Sequence, residues 1–136
     1  MKIYFAASIR GGRKNKNLHP KIINLLSKFG LVLTEHIGDK NLTDVGENIS
    51  DKQIYKRDLS WLKKSDVIVA EVTTPSLGVG YEIAIAKTLD KKILCIYNSS
   101  KTKRLSAMIK GDDALVVKEY QTINDLKAIF EDFFIK

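Results

Sequence analysis

Short apolar runs alternate with amphipathic segments along the whole chain. Lys2–Ala7, Leu31–His36, Asp66–Val72, Lys92–Tyr97 and Ala114–Tyr120 read as strands. The third is nearly continuous in β-forming residues, as expected of a strand buried on both faces. Between them, His19–Phe29 sets Ile22, Leu25, Leu26 and Phe29 on one helical face, with Pro20 in the first turn and Gly30 as a stop. Asp51–Lys64 and Gly80–Leu89 read as further helices, and Arg104–Ile109 as a short one. The last helix opens at Thr122, where Asp125 nearly completes a capping box. It carries Ile123, Leu126, Ile129, Phe130 and Phe133 as its apolar stripe. Residues 38–50 are polar and contain two glycines, which predicts a loop.

Five strands alternating with helices predict an α/β fold. The expected architecture is a single doubly wound five-stranded parallel sheet, flavodoxin/Rossmann-like, of order 2-1-3-4-5, with residues 1–136 as one domain. Such sheets bind ligands beyond the carboxyl ends of their strands, where the winding reverses between strands 1 and 3. That rule selects two loops, Ser8–Arg13 and Thr73–Gly80.

Composition narrows the function classes. The lone Cys95 cannot pair within the chain and lies in an apolar run, so it reads as a small buried hydrophobe in a reducing compartment. No stretch approaches the roughly 18 apolar residues of a membrane span, and the strand pattern begins too early for a signal peptide. The expectation is a cytoplasmic protein, with the nucleus open to it in a eukaryotic cell, and no membrane partner. A formal charge of +7 suits an anionic ligand. The lysines are scattered over helix faces without interleaved aromatics, so nucleic acid is not the expected partner. His19 and His36 lie apart and give no metal-ligand spacing.

The chemistry concentrates at the two selected loops. Ser8, Arg10, Gly11, Gly12 and Arg13 combine a hydroxyl, guanidinium groups and exposable backbone N–H groups, which suits a phosphate. Ser76 and the Gly78 N–H, at the start of a helix, form a second anion site. Glu82 is placed in the first turn of that helix, facing the ligand crevice. Asp58 is spaced with Ile54, Trp61 and Leu62 on the apolar side of its helix, so its carboxyl is either used there or paired with a neighbour such as Arg57. Two carboxylates at one phosphate-lined crevice suggest glycosidic chemistry: a nucleophile at the anomeric carbon and an acid for the leaving group. Tyr4, on strand 1, is either a half-buried strand aromatic, the commoner case, or a hydroxyl that holds the nucleophile.

Tyr4–Arg13, Thr34–His36, Asp58–Leu62, Asp66–Thr73, Pro75–Glu82 and Leu105–Ile109 together resemble the 2′-deoxynucleoside 5′-phosphate N-hydrolases (the Rcl proteins), within the nucleoside 2-deoxyribosyltransferase superfamily. The resemblance spans nearly the whole chain. It implies hydrolysis of a 2′-deoxynucleoside 5′-monophosphate to free base and 2-deoxyribose 5-phosphate, with no cofactor or metal. It implies Glu82 as the nucleophile of a covalent glycosyl-enzyme, Asp58 as the acid that protonates the base, and Tyr4 as the residue orienting Glu82. Ser8, Ile9, Arg10, Gly11, Gly12, Arg13, Ser76 and Gly78 match substrate and phosphate positions, and His36 a position near the substrate. Ser106, with Met108 beside it, matches a contact made across a homodimer interface. Ala7 departs from the family's usual glycine, and residues 38–53 depart from its pattern, leaving the base preference unread.

Three rivals stand beside this reading. A deoxyribosyltransferase uses the same nucleophile but passes the sugar to a second base. A CMP-type N-glycosidase accepts a 2′-hydroxyl. A non-catalytic nucleotide-binding module keeps the phosphate loops but has no use for Glu82 and Asp58.

Overall fold

The computed structural model describes residues 1–8, 17–34 and 48–135. Five strands, β1 (Lys2–Ala7), β2 (Leu31–Val32), β3 (Val67–Glu71), β4 (Lys92–Asn98) and β5 (Val116–Tyr120), form one parallel sheet of order β2-β1-β3-β4-β5. The helices are α1 (Leu18–Leu26), α2 (Asp51–Lys64), α3 (Leu77–Thr88), α4 (Ala107–Lys110) and α5 (Ile123–Ile135). The α/β class and strand order agree with the sequence pattern.

Side-chain alternation along the strands divides the core into two layers. Ile3, Phe5, Val67, Val69, Leu94 and Ile96 pack against α1 and α5. Tyr4, Ala6, Ile68, Ala70, Ile93 and Cys95 point the other way, toward α2 and α3. Cys95 is fully buried, and burial pushes its thiol up to about 12, which suits a packing role rather than a nucleophilic one.

Two elements differ from the sequence reading for identifiable reasons. Strand β2 was expected to reach His36 but ends at Val32. The Leu33 N–H still donates to the Ile3 carbonyl. The Thr34 side chain then replaces the backbone, accepting from the Phe5 N–H at 2.8 Å and donating to the Phe5 carbonyl at 2.7 Å. With Phe5 satisfied by a hydroxyl, the strand no longer needs to continue.

Helix α3 begins at Leu77 rather than Gly80. The Ser76 hydroxyl accepts from the Val79 N–H at 3.3 Å and caps the helix there, so both glycines lie inside it. Glu82 therefore stands in the second turn, not the first. Helices α2 and α5 follow their patterns, and both start at reciprocal caps. Ser50 and Gln53 close a capping box on α2. Thr122 and Asp125 exchange bonds of 3.0 and 3.2 Å before α5.

Candidate active site

Helices α2 and α3 pack against each other and over β1, and α3 also covers β3. Tyr4 is buried in β1, on the layer facing these helices. Its hydroxyl donates to Oε2 of Glu82. Entry into α3 three residues earlier than the glycines suggested carries Glu82 over the strand and onto this tyrosine. Burial pushes the Glu82 carboxyl up to about 7. The Tyr4 hydrogen bond opposes that rise, and the charge of Asp58 adds to it. The Tyr4 hydroxyl is itself raised, first by burial and then by the charges of Glu82 and Asp58. Tyr4, Glu82 and Asp58 therefore share one electrostatic neighbourhood.

Asp58 sits on α2 with 27% of its side chain exposed. It is not a bare carboxyl on an apolar face: Arg57 grips Oδ1 through Nη2 at 2.9 Å and Nε at 3.0 Å. The guanidinium lies over the Trp61 ring, 4.8 Å from its centroid, which fixes the pair against the helix. Pairing with Arg57, the alternative to a functional aspartate, coexists with a charge effect of Asp58 on Glu82. Tyr55 on α2 meets Tyr81 on α3 edge to face at 6.4 Å, closing the two helices beside the carboxyls.

Two hydroxyls belong to the segments that follow β1 and β3. Ser8, just past β1, is 5% exposed, and its Oγ has no hydrogen-bond partner among the described residues. A buried hydroxyl in that state needs a partner beyond these residues. Ser76 leads α3, whose first N–H groups, Gly78 included, have no intrahelical acceptor by helix geometry. A Cβ at Gly78 would lie 3.9 Å from the Ser76 Oγ, and one at Gly80 would meet nothing within 4 Å. The helix start is open ground for an anion.

Ser106 and Met108 lie elsewhere, on the short α4, where Ser106 makes no side-chain capping bond and Met108 is 82% exposed. Ile9, Arg10, Gly11, Gly12, Arg13 and His36 lie outside the described residues. Among the described residues no group of three His, Cys, Asp or Glu side chains is placed to hold a metal ion. None of the described helices is long and apolar enough to cross a membrane.

Sequence reasoning gave no role to Glu71, which ends β3 and is 4% exposed. The signal was present: one carboxylate closes an otherwise apolar buried strand.

A doubly wound sheet with a tyrosine-held glutamate, and an aspartate whose charge acts on it, points to a class, and comparison with known proteins gives it a family. The nucleoside 2-deoxyribosyltransferase family profile matches residues 3–131, and the chain belongs to that family. A 5-hydroxymethyl-dUMP N-hydrolase of Tetraodon nigroviridis is 48% identical over 139 residues, covering 98% of this chain and 97% of its own. The 5-hydroxymethyl-dUMP N-hydrolase of Danio rerio is 46% identical over 138 residues, covering 98% and 96%. Among solved structures, the Clostridium botulinum CMP N-glycosidase shares the fold with a TM-score of 0.66 at 19% identity, over 98% of this chain and 99% of its own. The 2-deoxyribosyltransferase of Bacillus psychrosaccharolyticus shares it with a TM-score of 0.67 at 17% identity, over 93% and 90%.

Proposed function

We propose that this chain hydrolyses the N-glycosidic bond of a 2′-deoxynucleoside 5′-monophosphate, with Glu82 as nucleophile and Asp58 as proton donor. The observation that carries the residue assignment is the Tyr4–Glu82 hydrogen bond beside Asp58, at the switch point of the sheet. N-hydrolase relatives matching nearly end to end support the reaction class.

In the first step the ionised Glu82 carboxylate attacks C1′. The C1′–N bond breaks, its electron pair leaves with the base, and Asp58 delivers a proton to the departing nitrogen. In the second step Asp58 takes a proton from water, whose oxygen attacks C1′. The ester to Glu82 breaks and 2-deoxyribose 5-phosphate leaves. Tyr4 holds Glu82 in line and, by donating to it, keeps the carboxylate accessible despite burial. The phosphate rests on Ser8, Ser76 and the first N–H groups of α3, with Arg10 and the rest of the first loop, Ile9 and Gly11 to Arg13, expected to complete the cradle. His36 is assigned to the vicinity of the sugar or base. This anchoring places C1′ against Glu82 and selects nucleotides over nucleosides.

The whole chain works as one domain, in a cytoplasmic setting, as a homodimer in which a second copy supplies Ser106 and Met108 to the substrate. The exposure of both residues on α4, with no capping bond from Ser106, supports that assignment. Among bases, 5-hydroxymethyluracil is the first to test, because the N-hydrolase relatives carry 5-hydroxymethyl-dUMP in their names.

The test is base release from a panel of deoxy- and ribonucleoside monophosphates, each beside its unphosphorylated nucleoside, with and without an acceptor base. Release from deoxy monophosphates without an acceptor is expected. Release only with an acceptor would make the chain a transferase. No release from any compound would leave a binding module.

The pH profile tests Glu82 separately. The nucleophile must be ionised, and burial raises Glu82 to about 7. The ascending limb of kcat/KM for the best substrate should therefore climb about tenfold per pH unit below that value and bend there, and the fall at higher pH belongs to the proton donor Asp58. Activity undiminished well below the ordinary carboxylate range, where Glu82 is protonated, would remove it from this role.

A further inference from the structure

Beneath the phosphate loop lies a buried polar network on the far side of the sheet from Tyr4 and Glu82. Glu71 continues the row of Val67 and Val69, which faces α1 and α5. One carboxyl oxygen accepts from the Thr73 N–H at 2.7 Å, and the other accepts from the Tyr120 hydroxyl at the end of β5. The Thr73 hydroxyl oxygen in turn accepts from the Asn98 N–H, the last residue of β4, at 2.9 Å. Asn98 Oδ1 then takes the Ser100 N–H at 3.0 Å and the Ser100 hydroxyl at 2.6 Å. Of these five bonds, three tie Glu71 and the loop after β3 to the ends of β4 and β5. Burial pushes the Glu71 carboxyl up, while bonds from Thr73 and Tyr120 and the charge of Lys101 pull it back.

A buried carboxyl is expensive, and an apolar residue would complete the strand at lower cost. What Glu71 adds is direction. Thr73 is the first turn of the loop that reaches Ser76, and its N–H is fixed by Glu71 while its hydroxyl is fixed by β4. We propose that Glu71 is a positioning residue for phosphate recognition, acting through Thr73 and Tyr120 to set the loop that presents Ser76 and the start of α3. The same bonds at Asn98 and Ser100 steady the start of the segment leading to Ser106. This proposal rests on the assignment of that loop to the 5′-phosphate.

The test compares Glu71→Leu, Glu71→Gln and Tyr120→Phe in the full chain. It reads kcat and KM for a deoxynucleoside monophosphate, the inhibition constant of 2-deoxyribose 5-phosphate, and the melting temperature. Glu71→Leu leaves the Thr73 N–H and the Tyr120 hydroxyl without their acceptor. KM and the inhibition constant should rise about tenfold, with kcat changed by less than about threefold. Glu71→Gln retains an acceptor for Thr73 and should bring both constants back to within about threefold of the parent. Tyr120→Phe should fall between them. A Glu71→Leu chain that melts lower but keeps both constants would overturn the proposal, leaving Glu71 a packing residue. If that variant does not fold, unchanged constants in Tyr120→Phe overturn it equally. Failure of the phosphate assignment itself shows in the unmodified chain, as 2-deoxyribose 5-phosphate inhibiting no better than 2-deoxyribose.

Discussion

Glu82→Gln should lower kcat by on the order of 10⁴-fold or more, as expected for loss of a covalent nucleophile. The carboxamide keeps the shape of the carboxylate and can still accept from the Tyr4 hydroxyl, so the site should remain folded. Neutral Gln also removes a carboxyl that burial pushes up to about 7. Nucleotide affinity should therefore stay within about threefold of the parent, because the phosphate contacts come from other residues. Base release under saturating substrate and equilibrium binding of the same monophosphate measure the two halves. Retained turnover would show that Glu82 is a structural carboxylate.

Asp58→Asn should cost between about 10² and 10⁴ in kcat, the usual range for a general acid. The loss should depend on the leaving group. A natural base departs as an unstable anion unless protonated, whereas a nitrophenolate needs little help. With a nitrophenyl 2-deoxyriboside 5-phosphate the penalty on the first step should shrink by at least about tenfold. A penalty independent of the leaving group would mean that Asp58 acts through charge alone. Arg57 bears on this choice, since its two contacts at 2.9 and 3.0 Å put a positive charge directly on the Asp58 carboxyl. The asparagine variant leaves that guanidinium without its partner carboxylate, still held over Trp61. Arg57→Gln measured beside it separates loss of the acid from rearrangement of the arginine.

Topology was legible from the sequence because each strand and helix carries its own periodicity, and right-handed crossovers leave few ways to order five parallel strands. The candidate site was legible for a related reason. The switch-point rule selects loops without knowledge of side-chain geometry, and Ser8, Ser76 and Glu82 lie on or beside those loops, whereas Tyr4 lies inside β1. The start of α3 was misplaced because Gly78 and Gly80 read as breakers, while the deciding interaction is one hydroxyl, Ser76, that caps the helix before them. Strand β2 was overextended because its pattern continues after Thr34 has already satisfied Phe5. The surroundings of Asp58 and the network at Glu71 were not legible. Each depends on which residues from distant segments meet, and a single sequence does not state those pairings.

The most direct measurement is mass spectrometry of the chain quenched in acid during turnover of a 2′-deoxynucleoside 5′-monophosphate. A mass gain of one 2-deoxyribose 5-phosphate group is expected, located on the peptide that holds Glu82 and absent from Glu82→Gln. An adduct on another residue, or turnover by water attack in a single inverting step with no adduct at any quench time, would contradict Glu82 as the nucleophile.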